Sequence, residues 1–344
     1  MYVSYIKLVN FRNYSNVSFE FDNNINYIIG KNGKGKTNLL ESIYFLSATR
    51  SFKTKNQNEL ISINEKKNII FAEIFDDINK NEISVNLEKN FKKVTVNNKI
   101  IKQSSDLLSI FYAVFFSEND IEIIQGTPAE RRYYLDIILS KIDKEYIYSL
   151  KSLKRLIKQK NNILKTTYNS EIIDVYNTKI EIENIKIVSY RKNIIKFIEE
   201  ELNIFNKSAK NNIGKVKIEY KQSLLNFTEK EKQTELNYRE CLYGAHRDDF
   251  IIYCNEMDAK KYLSIGEKRL TSLLIKLTEV MYIKKKKNID PVILIDDALS
   301  GVDEIRKEFF WQIIKGNKLQ TIITDTEMKC VDNNIFESYK LIEL

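Results

Sequence analysis

The chain has 344 residues, with 55 Lys and Arg against 47 Asp and Glu, and a formal net charge of +8. It contains one histidine, His246, and three scattered cysteines, Cys241, Cys254 and Cys330. These residues lack the spacing of zinc ligands and are typical of a protein from a reducing compartment. The composition therefore argues against a zinc site, and histidine-dependent nucleophilic catalysis would have to centre on His246.

The positive charge has two explanations. Lys and Arg gain binding energy by displacing counterions from phosphates, which favours a polyanionic partner such as nucleic acid. Abundant Lys, Asn, Ile and Tyr are also what AT-rich codon usage produces, so charge alone leaves both explanations open. No apolar run approaches the roughly 18 residues that a membrane span needs, and the chain starts like a strand rather than a signal peptide. We expect a cytoplasmic protein without a membrane partner.

The first third of the chain predicts a mixed α/β unit. Two β-type segments, YVSYIKLVNF and INYIIG, are followed by TNLLESIYFLS, whose apolar residues recur at helical spacing. Short β-rich runs such as KKNIIFAEIF, KKVTVNNKII and FYAVFF fill residues 66–116.

The middle of the chain predicts helices. Residues 129–210 contain no glycine or proline, and apolar residues recur every three or four positions on either side of the polar break TTYNSE. This pattern fits an antiparallel helical pair with about 35–40 residues, or roughly 55 Å, in each helix; a plain helical domain without extended arms fits equally well. Because β-type segments return after residue 211, we predict a discontinuous head, 1–120 and 211–344, interrupted by a helical arm or lid domain, 121–210.

A phosphate-binding loop follows the second predicted strand. GKNGKGKT matches G-x-x-x-x-G-K-[ST] between a strand and a helix, the context that this motif requires. Its glycines let successive backbone N–H groups point at phosphate oxygens beside a helix N-terminus. The expected cofactor-binding residues are Gly30, Lys31, Asn32, Gly33, Lys34, Gly35, Lys36 and Thr37. Lys36 is expected to reach the β- and γ-phosphates of the nucleotide, and the Thr37 hydroxyl to ligate Mg²⁺.

The segment PVILIDDALS predicts the second half of this site. An apolar run ending in carboxylates describes a buried parallel strand whose C-terminal end lies where open α/β sheets bind ligands. Asp296 is the candidate magnesium ligand, and Asp297 the candidate group that orients or deprotonates the attacking water. Alone, the segment would also fit a core strand closed by solvated aspartates.

The spacing of these motifs distinguishes among P-loop proteins. The interval from Thr37 to Asp296 is too long for a compact kinase, and neither a G-protein-like NKxD nor a series of helicase motifs is present. A head split by an inserted segment is typical of the ABC-type ATPases of chromosome and repair proteins. In that class a signature helix precedes the aspartate strand, and LSIGEKRLTSLL, which contains Ser264, has this position.

Six segments resemble successive motifs of the RecF family of bacterial recombination mediators. They are FRNYSNVSFEF, GKNGKGKTNLLESIYFLSATRSFKT, GTPAERRYYLD, GAHRDDF, SIGEKR and PVILIDDALSGVD, and they occur in the family's order between residues 11 and 303. GTPAERR and HRDD are not general motifs of ABC-type ATPases, so the combination is specific. The resemblance implies an α/β fold, an ABC-type P-loop ATPase head with an inserted, mainly helical second domain.

The resemblance also implies how the site works. ATP with Mg²⁺ binds one head, and two heads close into an ATP-dependent homodimer in which Ser264, Gly266 and Arg269 form a trans signature facing the partner's nucleotide. Ser300 and Asp303 would lie at the interface. The family usually reads S-Q-G-Q-x-R in the signature, whereas this chain has Ile265 and Glu267 in place of the glutamines, so Glu267 adds a carboxylate near the phosphate.

The function implied by the resemblance is recognition of gapped or single/double-strand junction DNA. With RecO and RecR, the family helps to load RecA during recombinational repair and replication restart, supporting SOS induction; its ATPase is slow, DNA-stimulated and acts as a switch. The alternatives are an SMC-like chromosome or double-strand-break ATPase head with short arms, and a transporter ATPase subunit. A transporter subunit would show a fuller signature and a histidine after the last strand, where this chain has IITDT.

Overall fold

The structure is a computed structural model that describes residues 1–76, 79–89, 91–102, 104–166, 170–208, 214–223, 227–297, 299, 302–326 and 338–344. Contacts within the chain divide it into two units. The head unit comprises Met1–Asp120 and Arg269–Leu344, and the insert unit comprises Ile121–Lys268.

The elements follow one another in this order. Up to residue 120 they are β1 (Tyr2–Phe11), β2 (Tyr14–Glu20), β3 (Ile25–Ile29), α1 (Lys36–Ala48), β4 (Lys67–Asp76), β5 (Asn79–Glu88), β6 (Phe91–Val96), β7 (Lys99–Ile101), α2 (Ser104–Leu107) and β8 (Ala113–Ser117). The insert unit then contains α3 (Glu122–Gln125), α4 (Pro128–Ile142), α5 (Lys144–Thr166), α6 (Ser170–Ser208), β9 (Val216–Lys221), α7 (Glu229–Tyr238), β10 (Asp249–Cys254), β11 (Met257–Asp258) and α8 (Ala259–Tyr262). The chain continues through α9 (Ile265–Lys287), β12 (Val292–Asp296), α10 (Glu304–Asn317), β13 (Thr321–Asp325) and β14 (Lys340–Glu343).

The head unit contains two sheets. One is antiparallel, in the order β2-β1-β4-β5-β6-β7, and β4 and β5 alternate buried and half-buried residues over most of their length. The other is parallel, in the order β14-β3-β13-β12-β8. Its central strands are almost continuously apolar and buried, as expected for a parallel sheet covered on both faces. Helix α1 contacts strands of both sheets and is buried from Leu39 to Ala48, which anchors the segment that begins at the P-loop.

The insert unit combines helices with a three-stranded sheet. Helices α5 and α6 pack against each other, and β9 and β10 pair antiparallel while β9 also packs on α6. Arg191 of α6 is almost fully buried, where its guanidinium donates to Asp136 Oδ1 at 2.8 Å and to the carbonyl oxygen of Ala245 at 2.6 Å. Lys160 of α5 forms an equally buried ion pair with Glu235 of α7. These charge-assisted contacts connect segments far apart in the sequence.

The second unit boundary differs from the predicted one. The head was expected to resume at residue 211, but the division by contacts falls between Lys268 and Arg269. The reason is that β9 and β10, which the sequence assigned to the head, pair with each other and pack on α6 and α4. The first boundary, after residue 120, is the same in both. Residues 128–166 form two helices separated at Asp143, whereas α6 has 39 residues.

Candidate nucleotide-binding site

The predicted P-loop connects β3 to α1. Gly33 and Gly35 have left-handed backbones with φ of 85° and 108°, a region in which a side chain would be strained. The Lys36 ammonium donates to the carbonyl oxygens of Gly30 at 2.5 Å and Lys31 at 3.2 Å, so it lies within the concave side of its own loop. The loop therefore has the wrapped backbone and the positioned ammonium that phosphate binding requires.

The outer side of the loop is supported by Asn13, from the turn between β1 and β2. Its Nδ2 donates to the carbonyl oxygen of Lys34 at 3.2 Å, and its Oδ1 accepts from Asn38 Nδ2 at 2.8 Å. A Cβ on Gly35 would lie 2.7 Å from Asn13 Nδ2, which is closer than real Cβ contacts allow. A side chain at Gly35 would therefore have to displace the Asn13 amide in addition to straining φ. Asn13 lies within the segment FRNYSNVSFEF, but nothing in that segment by itself indicates a contact with the P-loop.

A buried ion pair organises the first turns of α1. Arg12 donates from Nε and Nη2 to the two carboxylate oxygens of Glu41 at 2.9 and 2.8 Å, and the Glu41 side chain is fully buried. Ser51 also donates to Glu41, while its own Oγ accepts from the backbone N–H of Lys53 at 2.8 Å. The Lys53 ammonium donates to Asn38 Oδ1 at 2.7 Å. The segment after α1 thus places Lys53 beside the first turn of α1, next to the P-loop.

Thr37 and Asp296, the two candidate magnesium ligands, are in direct contact. The Thr37 hydroxyl donates to Asp296 Oδ1 at 3.0 Å, and Thr324 at the end of β13 donates to the same oxygen at 2.6 Å. The register of the parallel sheet explains this, because Asp296 is paired with Thr324 and lies at the carboxyl edge of the sheet. A hydroxyl and a carboxylate oxygen in contact form the hard-oxygen donor set that suits Mg²⁺.

Carboxylates gather at the same edge. Asp297 has a left-handed backbone with φ of 48° and is exposed. Partial desolvation by its neighbours still raises its pKa, as do the charges of Asp325, Glu118 and Asp296, while Arg269 lowers it. Asp325 was missed by the sequence analysis, although TIITD ends an apolar strand with an acid just as VILID does. It is oriented by Tyr27, whose hydroxyl donates to Asp325 Oδ2 at 3.0 Å.

The signature segment begins α9 with a capping box. Ser264 Oγ accepts from the backbone N–H of Glu267 at 3.3 Å, and the Glu267 carboxylate accepts from the backbone N–H and hydroxyl of Ser264 at 2.9 and 2.7 Å. The unusual Glu267 therefore has a local structural role. Ser264 and Gly266 belong to the insert unit, while Arg269 belongs to the head unit and acts electrostatically on Asp297 of the same chain.

Two further expected residues lie after β12. Ser300 is outside the described residues, and Asp303 is exposed immediately before α10. Of the lysine run at the end of α9, Lys284 pairs with Asp290 at 2.8 Å and Lys286 lies over the ring of Tyr282.

The arginines and histidine of the family-like motifs make structural contacts. Arg131 forms a bidentate pair with Asp249, with nitrogen–oxygen distances of 2.7 and 2.8 Å, and Arg132 donates to the carbonyl oxygen of Asp248. His246 Nε2 lies 3.1 Å from the carbonyl oxygen of Cys241, and burial lowers the pKa of this histidine. These side chains order the turn that leads into β10.

The described part of the chain contains neither a preformed metal site nor a membrane-spanning helix. No group of three or more His, Cys, Asp or Glu side chains there is arranged to hold a metal ion by itself. None of the helices described has both the length and the apolar character needed to cross a membrane.

Comparisons with known proteins agree on one family. The family model described as the RecF/RecN/SMC N terminal domain matches residues 2–340. The DNA replication and repair protein RecF of Clostridium perfringens is 33% identical over 364 aligned positions, which cover 100% of this chain and 98% of that protein. RecF of Thermoanaerobacter sp. strain X514 is 35% identical, with coverages of 95% and 94%.

Solved structures extend the similarity to the fold. A structure of the recombination mediator protein RecF-ATPrS in the RecFOR pathway matches with a TM-score of 0.89 at 29% identity, covering 100% of this chain and 96% of that one. An Smc head domain from Pyrococcus furiosus matches with a TM-score of 0.52 at 19% identity, covering 95% and 90%, which concerns the fold alone. The predicted ABC-type ATPase head is confirmed, and the chain belongs to the RecF family.

Proposed function

We propose that this protein is an ATP-dependent DNA-binding switch of recombinational repair and replication restart. The observation that carries the proposal is the contact between Thr37 of the P-loop helix and Asp296 of β12. It joins a phosphate-binding loop to a carboxylate at one sheet edge, which is the arrangement that P-loop ATPases use. The protein would act in the cytoplasm.

The proposal assigns a task to each part of the site. The backbone N–H groups of 30–37 and the N-terminus of α1 bind the phosphates of ATP, and Lys36 exchanges its two loop carbonyls for phosphate oxygens. Thr37 and Asp296 would hold Mg²⁺, which would neutralise negative charge on the phosphates. Asp297, whose pKa is raised, orients the attacking water and accepts its proton. Hydrolysis is slow, because its role is to end the ATP-bound state of the switch.

The switch is an ATP-dependent homodimer. Ser264 and Gly266, at the N-terminus of α9, offer backbone N–H groups and a positive helix end to the γ-phosphate held by the partner. Ser300 and Asp303 belong to the interface. Arg269 faces the partner's nucleotide as part of the signature, and it also acts electrostatically on Asp297 of its own chain.

The nucleic-acid half of the proposal rests on relatives. Proteins 33% identical over the whole chain bear the name DNA replication and repair protein RecF, and a solved relative belongs to the RecFOR pathway. We extend this to gapped or junction DNA as substrate, RecO and RecR as partners, RecA loading as outcome and support of SOS induction. The SMC-like alternative is weaker, because the SMC heads share only the fold at 18–19% identity.

A lysine pair within the loop tests nucleotide binding. Lys36→Met removes the ammonium that faces the phosphates, whereas Lys34→Met removes an exposed charge from the same loop. A charge-assisted contact contributes about 1.5–3 kcal/mol, so Lys36→Met should weaken binding of a fluorescent ATP analogue by at least about tenfold. Lys34→Met should change it by less than about threefold. Equal effects of the two substitutions would remove the basis for this site.

Light scattering tests the dimer. The wild type should shift from monomer to dimer with ATP at micromolar concentration, and Ser264→Arg should remain monomeric while still binding the ATP analogue. A wild type that stays monomeric with ATP contradicts the composite site. A Ser264→Arg variant that dimerises normally contradicts the signature assignment.

A further inference from the structure

Helix α5 carries an exposed basic stripe. It consists of Lys151, Lys154, Arg155, Lys158 and Lys165, all exposed. Within α5 the one acid is Glu145 in the first turn, and no Asp or Glu follows it before Glu171, so the part of the helix that carries the stripe has no acid of its own.

The stripe lies on one face of the helix. Lys151, Arg155, Lys158 and Lys165 follow each other at spacings of four, three and seven residues, which keeps them within a narrow angular range. Leu153, Leu156 and Leu164 form part of the buried face. The stripe is therefore a straight row of cations on a helix anchored from behind.

The other exposed side chains near this row are also suited to phosphate and sugar contacts. Gln159 and Asn162 are exposed amides within the stripe, and Tyr148, one turn before it, has 53% of its surface exposed. Every exposed position from Lys151 to Lys165 is thus basic or an amide. Amides, tyrosines and basic groups are the side chains that contact phosphates and sugars in DNA complexes.

The cations of the stripe are not neutralised by the described residues around them. Within that part of the chain, no ion pair involves any of the five, whereas Lys186 and Lys196 of the neighbouring α6 lie 3.9 and 4.0 Å from glutamates of their own helix. An ordinary solvated helix face has such interspersed charges, as α6 does. The charged side chains of the stripe are instead all positive.

We propose that the basic stripe of α5 binds the phosphate backbone of a DNA duplex. Lys151 and Lys165 are separated by fourteen residues, or about 21 Å along the helix. Duplex DNA carries one phosphate per ~3.4 Å of axis in each strand, or about six over that length. Because each strand winds round the axis once in about 34–36 Å, a straight helix faces only some of these phosphates, and the cations of the stripe are enough to contact those. The proposal rests on the proposed function, because it assumes that the protein binds DNA.

An anionic membrane is a poorer fit. Helices that lie on membranes combine a basic face with an apolar face inserted among the lipids. The apolar face of α5 is instead buried within the protein, at Leu153, Leu156 and Leu164. The stripe offers charge and hydrogen-bond donors but no apolar face for insertion.

The test is a triple substitution, Lys151→Gln, Arg155→Gln and Lys158→Gln, called here the stripe variant. Glutamine keeps helix propensity and exposure while it removes three charges. Binding to a fluorescent 30-base-pair duplex is measured with ATP at several salt concentrations by anisotropy. Three lost phosphate contacts should lower the slope of log K against log salt by about 2–3 and weaken binding at 0.1 M salt on the order of a hundredfold.

The matched control is a triple substitution on α6, Lys179→Gln, Lys186→Gln and Lys196→Gln. It removes the same net charge from exposed positions of the same unit. The control variant should keep a salt slope within about one of the wild type. Circular dichroism and ATP-analogue binding should be unchanged in both variants, which shows that each is folded and has an intact nucleotide site.

The outcomes separate the inference from the proposed function. If the wild type binds duplex DNA and the stripe variant matches the control variant, the stripe assignment is overturned while the proposed function stands. If the wild type binds single strands but not duplexes, the duplex assignment is overturned. If it binds no DNA in any nucleotide state, the DNA-binding half of the proposed function is overturned and the inference with it. A selective loss in the stripe variant supports the assignment.

Discussion

The buried pair of Arg12 and Glu41 should dominate the stability of the head unit around the P-loop. The Glu41 side chain is fully buried and the Arg12 side chain is only 19% exposed. Glu41→Ala leaves the guanidinium in the same place without its partner and removes the acceptor of the Ser51 hydroxyl. Breaking a buried pair in this way costs about 3–5 kcal/mol.

Urea unfolding followed by tryptophan fluorescence measures this cost. Trp311 is the one tryptophan of the chain, is buried, and belongs to the head unit, so its emission reports the unfolding of that unit. With a urea m-value of about 2 kcal/mol per M, the midpoint should fall by about 1.5–2.5 M. Glu59→Ala, at an exposed position of the same unit, is the control and should change stability by less than about 0.5 kcal/mol.

A second variant separates the unpaired charge from the lost packing. Arg12→Met with Glu41→Leu removes both charges and should recover much of the stability, because a buried pair can be replaced by apolar residues at little cost. A Glu41→Ala midpoint within about 0.5 M of the wild type would refute the reasoning, since it would mean a cost of only about 1 kcal/mol.

Three further predictions concern the same site. Gly35→Ala should destabilise the head unit by about 1–3 kcal/mol more than Gly33→Ala, because both have positive φ but only Gly35 faces a side chain at 2.7 Å; equal urea midpoints would contradict this. Glu267→Gln keeps the capping box with Ser264. The affinity of ATP-driven dimerisation, measured by light scattering, should therefore change less than about threefold. A tenfold gain in that affinity would mean that the Glu267 carboxylate repels the phosphate. Burial raises the pKa of Asp120 from 3.8 to about 6, although Lys276 opposes the shift. The folded state therefore holds this proton more tightly than the unfolded state does, and the free energy of unfolding should fall as pH rises from about 4 to 6. Asp120→Asn should flatten that part of the stability–pH curve, and an unchanged slope would assign it to other groups.

Local patterns made the P-loop predictable. Gly30 to Thr37 are contiguous, and the flanking strand and helix are recognisable from apolar periodicity alone. The position of Asp296 was also predictable, because a short apolar run ending in an acid describes one edge of a parallel sheet. Its contact with Thr37 required the order of strands, which places β12 beside β13 and β13 beside β3.

Contacts between distant segments were not predictable. Arg131 pairs with Asp249, and Asp136 pairs with Arg191, although these partners lie 118 and 55 residues apart in the sequence. Asp325 ends an apolar strand as Asp296 does, but only the sheet register shows that this strand end lies beside Asp297. The charge of Glu267 looked unfavourable until its capping contacts with Ser264 were visible.

The sequence by itself determined the family, the P-loop motif and the existence of a helical insertion, because these depend on contiguous motifs and on periodicity within single elements. Only the tertiary structure decided where the head resumes. The strands β9 and β10 have the same local pattern whether they pair with the head or with each other, and their antiparallel pairing and packing on α6 assign them to the insert unit. Strand pairing is a choice among distant partners of similar pattern, and it is settled by the packing of the whole unit rather than by any one segment.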